Sequence, residues 1–549
     1  MAKTRTIPFR YTVYVLSLTG LLLSLLAGAL LQGWTIALPF VFAAFTALGT
    51  WDLLQRKRTV SRNYPILAHF RYFLESIGPE IRQYFIQSDT EERPFSREQR
   101  TIIYQRAKNI LDKRPFGSQL GMYDEGFEWI NHSLRPAELT NSDFRIVIGK
   151  HCAKPYNASV FNISAMSFGS LSANAILSLN TGAKLGGFYH DTGEGSISRY
   201  HREPGGDLVW EIGSGYFGCR HEDGTFNEEM FVQNATTDQV KMIEVKLSQG
   251  AKPGHGGILP AEKVTREIAE ARGVKPGEDV VSPASHSAFS TPIELLEFLE
   301  RLRELSGGKP VGFKLAIGHP WEWFAIVKAM LETGKKPDFI VVDGGEGGTG
   351  AAPLEFINRL GTPMKEALLL VHNTLVGTNL REDIAIGAAG KITSAFNVAR
   401  TLALGADWCN AARGYMFSLG CIQALNCHTG KCPSGVATQD PRRSNKLDVR
   451  DKSQRVYNYH RNTLDALMNL LAASGLSHPS ELGPEHIIRR TSRTEIHSYM
   501  DLFPFLEPGA LLTGVKTGER VFDIYWPDAT ANSFEPPEFI RQLRETKLQ

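Results

Sequence analysis

The chain has 549 residues, and its 60 Lys and Arg against 58 Asp and Glu leave a formal net charge of +2. With 42% hydrophobic and 21% charged residues it has the composition of a folded protein with a substantial core, which excludes a disordered chain. The small net charge argues against a dedicated nucleic-acid binder, and six cysteines are too few for a disulfide scaffold of this length.

The first feature along the chain is an apolar stretch that contains no Asp, Glu, Lys or Arg from Tyr11 to Trp51. As one helix it would be roughly 60 Å long, about twice the thickness of the hydrocarbon core of a bilayer. Gln32-Gly33 divides it into two predicted membrane passes, 11–31 and 34–51. A signal peptide is the alternative, but the stretch is too long and no small-residue cleavage site follows.

Basic residues flank both outer ends of this predicted hairpin, which places both termini and the body of the protein in the cytoplasm. The flanking residues are Lys3, Arg5, Arg10, Arg56, Lys57, Arg58 and Arg62. We therefore expect a two-helix transmembrane hairpin over residues 1–58, in the cytoplasmic membrane and in contact with lipid.

Helical periodicity continues behind the hairpin and returns at the end of the chain. Leu67, Phe70, Phe73 and Leu74 fall at helical spacing, and residues 59–140 are predicted to be a helical juxtamembrane segment. Residues 456–471 are also amphipathic, and residues 476–549 are predicted to be a helical, proline-rich extension.

Between these segments, residues 141–475 alternate short apolar runs, glycine-rich loops and helical patterns. Runs without polar alternation are typical of strands buried on both faces, as in a (β/α)8 barrel or a doubly wound sheet. The polar residues follow the ends of the runs, which favours the α/β class with a TIM barrel. The predicted strands are 144–148, 160–165, 208–212, 242–247, 311–316, 339–342, 384–386 and 406–411.

Three cysteines lie within twelve residues, Cys421, Cys427 and Cys432, and Pro433 follows the last of them. Thiolates at this spacing can converge on a metal or an iron–sulfur cluster, and a proline after the last cysteine is found in cluster-binding runs. Three ligands without a fourth cysteine suit a three-iron cluster. A structural zinc with His428 as the fourth ligand is the alternative.

Three successive glycine loops follow predicted strands, at Asp343–Gly350, at Gly387–Lys391 and at Asn410–Gly414. Glycines let backbone N–H groups approach a phosphate, and the last two strand-end loops are the usual phosphate site of a barrel. Two of the loops carry a cation, Lys391 and Arg413. Together they predict a cofactor that bears a phosphate.

Three further polar residues end other predicted strands or loops: Glu194, Lys246 and Lys314. A lysine between apolar residues on an inner strand is costly unless it meets an anion. The reduced ring of a flavin supplies one such anion and a substrate carboxylate another, while a lysine paired with a barrel carboxylate remains the structural alternative.

The quoted motifs resemble the synthase domain of glutamate synthase, in the stand-alone, membrane-anchored form of the FMN-binding glutamate synthase family. The matching segments are Ile-Ser-Ala-Met-Ser-Phe-Gly-Ser (163–170), His-Asp-Thr-Gly-Glu-Gly (190–195), Gly-Ala-Lys-Pro-Gly-His-Gly-Gly (250–257), Gly-Gly-Thr-Gly-Ala (347–351) and the cysteine run. The resemblance implies a barrel that holds FMN and a [3Fe–4S] cluster.

The resemblance also implies roles for single residues. Cys421, Cys427 and Cys432 would bind the cluster, and Glu194 could take a proton from ammonium. Lys246 and Lys314 would hold carboxylate and flavin charge. The residues that would contact the flavin or border its phosphate are Ala165, Met166, Ser167, Gly345, Gly390, Lys391 and Arg413.

The implied reaction is the reductive amination of 2-oxoglutarate by ammonia, with electrons from a ferredoxin-like protein or a partner subunit. No glutaminase domain is expected, since the chain starts Met-Ala-Lys. His255 and the 282–287 segment, which keeps only His286, depart from the family pattern where substrates should meet. Synthesis of N-substituted glutamates from methylamine and a non-catalytic electron-transfer subunit therefore stay open, as does a homo-oligomer.

Overall fold

The computed structural model describes residues 9–30, 37–55, 58–86 and 93–548, which fall into two compact units, Met1–Arg97 and Glu98–Gln549. Several residues of the predicted hairpin lie outside the described residues: Lys3, Arg5, Gln32, Gly33, Trp34, Arg56 and Lys57. The predicted domain boundaries at 58, 140 and 475 remain predictions.

In the first unit, helices Thr12–Leu30 and Ala37–Leu54 pack against each other. Tyr14 Oη lies 3.0 Å from Thr50 Oγ1, and Thr46 Oγ1 donates to Ser17 Oγ over 3.4 Å, so hydroxyls face each other between the helices. By length and composition, Ala37–Leu54 could cross a membrane, and Thr12–Gly28 is apolar but shorter.

The chain then forms helices Thr59–Asn63 and Leu67–Ile81 and a π-helical turn, Arg82–Ile86. The helix expected around residues 67–74 is therefore confirmed. Helix Arg97–Ala107 follows, but residues 108–140 contain a single short strand, Glu128–Ile130, and no helix. The helical expectation for 108–140 is wrong. At residues 128–130 the reason is tertiary, because Glu128–Ile130 pairs with Ile487–Arg490 and this contact overrides local preference.

Eight parallel strands close into a barrel in the second unit, which confirms the α/β class and the TIM barrel. Their order around the barrel follows the sequence. They are β1 (Phe161–Ile163), β2 (His190–Asp191), β3 (Leu208–Ile212), β4 (Val240–Lys246), β5 (Val311–Leu315), β6 (Phe339–Asp343), β7 (Ala385–Ala389) and β8 (Trp408–Ala411).

Seven of the predicted apolar runs supply barrel strands, but the assignment of 144–148 is wrong. Strand Arg145–Ile148 pairs antiparallel with Tyr156–Ser159 in a separate hairpin. Val147 in this strand is 52% exposed, so one face looks outward, as an antiparallel pair allows and an inner barrel strand does not. The missing barrel strand is β2, whose two polar residues carry no apolar run.

Helices surround the barrel and follow the strands in sequence. They are Ala173–Gly186, Arg199–Arg202, Glu228–Ala235, Arg266–Arg272, Pro292–Leu305, Pro320–Thr333, Leu354–Arg359, Met364–Gly377, Ala395–Ala403, Arg413–Ser418, Pro441–Ser444 and Val449–Ala473. The last one contains the predicted amphipathic stretch.

The C-terminal segment contains strands as well as the predicted helices. Ile487–Arg490 and Ile496–Ser498 join Glu128–Ile130 in a three-stranded sheet, and helices Tyr499–Leu502, Arg520–Tyr525 and Glu538–Leu548 follow. One further two-stranded ladder, Ile258–Leu259 with Val280–Val281, lies in the long connection between β4 and β5.

Candidate active site

The upper part of the barrel interior is a layer of ionisable side chains above an apolar core. The core includes Tyr189, Val209, Phe339 and Trp408. Two residues after the core residues Tyr189, Val209 and Met242, the side chains of Asp191, Glu211 and Glu244 bring carboxylate oxygens within 4.8 Å of one another. This alternation follows from the two-residue period of a strand, which points every second side chain inward.

Lys314 on β5 is the counter-charge of this layer. Its Nζ contacts Glu211 Oε2 and lies 3.3 Å from Glu244 Oε1, and the lysine is only 4% exposed. The strand register puts Glu211 beside Glu244 on neighbouring strands. The structure therefore places Lys314 against barrel carboxylates, which was the structural alternative for this residue.

Burial and mutual repulsion dominate the ionisation of the layer. Burial, reinforced by Glu211, raises the pKa of Asp191 to about 7 although Lys314 opposes the rise. Burial also raises the pKa of Glu244 well above its usual value. The pKa of Lys314 is raised well above its usual range, because the surrounding carboxylates outweigh the effect of burial.

Nearer the mouth, Lys246 at the end of β4 forms an ion pair with Glu194 from the loop after β2. Lys246 Nζ lies 3.0 Å from Glu194 Oε2. Burial alone would raise the pKa of Glu194, but Lys246, Arg272 and Lys252 together hold it below its usual value. Three cations thus face one carboxylate, which leaves a positive excess where an anionic substrate could bind.

His286 supports this pair from the connection between β4 and β5. It is 7% exposed, its Nε2 lies 2.9 Å from the Lys246 carbonyl oxygen, and its Nδ1 lies 3.1 Å from Tyr216 Oη. Burial lowers the pKa of His286 to about 4, so the ring is neutral at neutral pH. His255 is exposed, and its ring centroid lies 5.4 Å from that of Phe356 in an edge-to-face arrangement.

The loop after β1 packs tightly against the loop after β2. A Cβ added to Gly193 would lie 2.7 Å from the backbone nitrogen of Ser167 and 3.0 Å from that of Met166. Gly193 also has a φ of +65°, and its N–H donates to Asp191 Oδ1 over 3.0 Å. The predicted Ala165–Ser167 loop is therefore held beside Glu194 by a close backbone approach that only glycine permits.

The glycine loop after β6 reaches the loop after β7. Gly344 N–H donates to the Ala389 carbonyl over 2.8 Å, and an added Cβ on Gly344 or on Gly390 would meet Met364 within 3 Å. Gly345 N–H donates to the Thr362 carbonyl over 2.9 Å, so this amide is engaged within the protein. Lys391 has a φ of +51°, the left-handed region, directly behind Gly390.

Arg413, which follows β8, connects the glycine loop to the cysteine segment. Its Nη2 donates to the Thr349 carbonyl over 2.8 Å, and its Nη1 lies 3.9 Å from Cys427 Sγ. The predicted phosphate loop and the predicted cluster segment are therefore neighbours.

The cysteine segment is a loop around the short 3-10 turn Cys427–Thr429, with Cys421 and Cys432 buried. Burial raises the pKa of Cys421 to about 11, and the other two cysteines add to the rise, so the three sulfurs sense one another. Burial would raise the pKa of Cys432 too, but the Ser434 hydroxyl and backbone N–H groups lower it overall. Such donors are what thiolate ligands of a metal cluster need.

The structure thus brings the predicted residues to one end of the barrel, and it adds four that the sequence interpretation missed. Asp191, Glu211 and Glu244 form the ionisable layer, and Arg272 faces Glu194. Glu211 and Glu244 carried the same signal as Lys314, a charged residue inside an apolar strand. Arg272 lies in a helix, where a charge is ordinary, and no sequence signal distinguished it.

A model described as the conserved region in glutamate synthase matches residues 129–477. The chain belongs to the glutamate synthase family. It is accordingly an oxidoreductase of the glutamate synthase type, and the resemblance to a stand-alone synthase domain is confirmed, while the membrane-anchored form stays a prediction. The match spans the barrel, the cysteine segment and helix Val449–Ala473.

Curated relatives agree with this assignment. The chain is 40% identical over 496 residues to the glutamate synthase large subunit-like protein YerD of Bacillus subtilis, covering 83% of this chain and 94% of that protein. It is 34% identical over 338 residues to an archaeal-type glutamate synthase [NADPH] of Thermotoga sp., covering 61% of this chain and 63% of that protein. The chain thus spans less than two thirds of the Thermotoga relative.

Among solved structures, a flavocytochrome b2 variant with pyruvate bound matches 82% of this chain and 92% of its own at 12% identity, with a TM-score of 0.42. A mandelate oxidase variant matches 76% of this chain and 98% of its own at 15% identity, with a TM-score of 0.38. The fold assignment rests on the strand order of the barrel itself.

Proposed function

We propose that this protein catalyses the reductive amination of 2-oxoglutarate, through 2-iminoglutarate, to L-glutamate. The proposal includes FMN in the barrel mouth, a [3Fe–4S] cluster on Cys421, Cys427 and Cys432, and electrons from a ferredoxin-like protein or a partner subunit. The observation that carries it is the position of Arg413, which contacts both the glycine loop and Cys427 Sγ at the barrel end that holds Lys246 and Glu194.

The residues present fit both cofactors. Gly344, Gly345 and Gly390 form a surface in which an added Cβ would meet the protein within 3 Å, so the backbone there is shaped by glycine alone. Arg413 and Lys391 would hold the phosphate, and Ala165, Met166 and Ser167 would border the ring. When bound, FMN supplies a hydride to the imine carbon and the cluster supplies single electrons.

The cysteine geometry favours a multi-iron cluster over a single zinc ion. Four ligands at about 2.3 Å from one zinc would bring the sulfurs within about 4 Å of one another. Among the described residues, the one group of three or more His, Cys, Asp or Glu residues with ligand atoms within 4.8 Å of one another is Asp191, Glu211 and Glu244, and His428 is exposed. A three-iron core spaces its thiolates more widely.

The chain's own residues bind and orient the substrate and handle its proton. The excess positive charge of Lys246, Lys252 and Arg272 suits the two carboxylates of 2-oxoglutarate. Glu194 is ionised at neutral pH because these cations lower its pKa, so it can accept a proton from ammonium and return it to the product nitrogen. Lys314 would act indirectly, by neutralising the carboxylates of the buried layer that lies beneath the barrel mouth.

We also propose that the first unit is a membrane hairpin and that the catalytic unit lies on the cytoplasmic side. Hydroxyls of Tyr14, Ser17, Thr46 and Thr50 face each other between the helices, while large apolar side chains face outward. This is the reverse of a water-soluble helix pair and is what lipid as a solvent favours. The outward residues are Leu16, Leu22, Leu23, Leu25, Leu26, Phe40 and Val41.

The test uses the purified full-length protein. Flavin absorption bands with about three irons and acid-labile sulfide per chain would support the cofactors. The flavin is then photoreduced anaerobically, and 2-oxoglutarate with ammonium is expected to reoxidise it with formation of glutamate, while either compound alone is not. Failure of that pair in a protein that carries flavin and iron would refute the amination, and faster reoxidation with methylamine would refute ammonia as the amine.

A further inference from the structure

Helix Leu67–Ile81 carries an apolar stripe that faces solvent. Leu67, Phe70, Leu74, Ile77 and Ile81 follow one another at alternating steps of three and four residues, which aligns them on one side of a helix. Leu67 is 48% exposed, Phe70 is 61% exposed and Leu74 is 42% exposed. Three large apolar side chains in one exposed row indicate that something other than water covers this side of the helix.

At the start of the helix, the side opposite the stripe is hydrogen-bonded to the end of helix Ala37–Leu54, so the stripe cannot turn inward. The buried Asp52 accepts a hydrogen bond from the Ile66 N–H over 2.9 Å, and its Oδ1 lies 2.9 Å from His69 Nε2. Ala68 is buried beside these contacts, and the Arg58 guanidinium lies over the Tyr72 ring, 5.0 Å from its centroid.

A strained turn fixes the direction in which the helix leaves. Ile66 has a φ of +67°, which is unfavourable for a β-branched residue, and its Cδ1 lies close to Gly49, where an added Cβ would be only 3.2 Å away. The same residue makes the N–H bond to Asp52. Packing and hydrogen bonding therefore overcome the strain and hold one orientation of the helix relative to the hairpin.

The position of Asp52 in the hairpin indicates which surface covers the stripe. Asp52 lies in the last turn of Ala37–Leu54, next to Trp51, which is 68% exposed, and Leu54, which is 71% exposed. The helix therefore starts at the height where a proposed membrane span ends, and its apolar row continues the outward apolar surface of that span. Exposed tryptophan at such a level is typical of the boundary between headgroups and acyl chains.

We propose that helix Leu67–Ile81 lies in the surface of the lipid bilayer, with its apolar stripe inserted at the boundary between headgroups and acyl chains. The Arg71–Glu75 ion pair, 2.7 Å long, borders the stripe on the side that would face the headgroups. The inference rests on the proposed membrane hairpin and goes beyond it, because a hairpin alone would not require the following helix to contact lipid.

Photo-crosslinking tests this in the full-length protein, reconstituted into vesicles of phosphatidylethanolamine and phosphatidylglycerol. A benzophenone amino acid is introduced in the stripe, Phe70→p-benzoylphenylalanine, and on the exposed opposite side as the matched control, Ser76→p-benzoylphenylalanine. A third variant, Phe45→p-benzoylphenylalanine, reports on the hairpin, where Phe45 is 47% exposed. Adducts are identified by mass spectrometry after irradiation.

We expect phospholipid adducts at position 70 in at least about five-fold higher yield than at position 76, together with adducts at position 45. Lipid adducts at 45 without an excess at 70 would overturn the surface helix while the hairpin stands. Crosslinks from position 70 to a second chain, or to the catalytic unit of the same chain, would overturn it in favour of a protein contact. No lipid adduct at 45 or at 70 would refute the hairpin and the surface helix together.

Discussion

Replacing Lys314 with methionine tests the electrostatic account of the barrel interior. Methionine has a similar length and fills the same space, but it removes the ammonium group that lies against Glu211 and 3.3 Å from Glu244. Removing one partner of a buried ion pair typically destabilises a protein by about 3–5 kcal/mol, because it leaves uncompensated buried charge. We expect Lys314→Met to lower the free energy of unfolding by that amount at about pH 7.5.

The destabilisation caused by Lys314→Met should depend on pH. A buried carboxyl whose pKa is raised on folding stabilises the fold below its unfolded pKa and loses that contribution as pH rises through the folded pKa, about 7 for Asp191. Without Lys314 the carboxyl pKa values rise further. The penalty of Lys314→Met should therefore be smaller at about pH 5 than at about pH 7.5, since the carboxyls can take up protons at the lower pH.

Urea unfolding of the full-length protein in detergent measures the effect, with the buried tryptophans Trp210, Trp323 and Trp408 as reporters of the barrel. Lys309→Met is the matched control, because this buried lysine donates hydrogen bonds to two backbone carbonyls, that of Ala235 over 2.5 Å and that of Thr237 over 2.6 Å. Its penalty should stay constant between about pH 5 and about pH 7.5, since its lowered pKa of about 8 lies above that range.

A second substitution adds an internal check. The double variant Lys314→Met with Glu211→Gln should be more stable than Lys314→Met alone at about pH 7.5, because one repelling carboxylate is gone. A penalty below about 1 kcal/mol for Lys314→Met, or one that does not change with pH, would refute the view that this lysine neutralises the layer.

Glu128→Gln should cost about 3 kcal/mol at neutral pH, because burial would raise the pKa of Glu128 but Arg400 and its other partners lower it to about 2; that stability is present above the unfolded pKa and lost as pH falls toward 2, so acid titration of both proteins should make their curves converge. Cys427→Ser should lower the iron content and abolish the cluster's electron paramagnetic resonance signal while flavin absorption remains; full iron retention would exclude Cys427 as a ligand. Glu194→Gln should reduce kcat by about 10²–10⁴-fold and remove the acidic limb of the pH–rate profile, whereas an unchanged profile would show that Glu194 carries no proton. The same substitution removes the ion pair between Glu194 and Lys246, which frees Lys246 to bind the oxo acid. The KM for the oxo acid should therefore not rise.

The strongly apolar runs were predictable because a parallel strand covered by helices needs apolar side chains on both faces. Seven of the barrel strands follow this rule. The rule fails at β2, where His190–Asp191 is too short to show a period, and at 144–148, where an apolar run forms one strand of a hairpin outside the barrel. The local pattern of apolar residues indicates that a strand is buried, but it does not indicate which strand it pairs with.

At the active site, too, the sequence predicted some features and strand pairing decided the others. Glycine, lysine and cysteine motifs identified the strand-end loops, since close backbone approach and thiolate ligands require those residue types. Whether Lys314 meets a cofactor or a carboxylate depended on Glu211 and Glu244, which are 103 and roughly 70 residues away in sequence and become neighbours only through strand register.

By itself, the sequence determined the repeated strand and helix pattern, the glutamate synthase motifs and the apolar character of the N-terminal helices. These follow from side-chain type and spacing along one chain. Tertiary structure alone decided that four ionisable groups share one buried layer, that Arg413 connects the glycine loop to Cys427, and that the Leu67–Ile81 stripe faces outward. Each of these depends on distances between residues far apart in sequence, which closure of the barrel and the turn at Ile66 set.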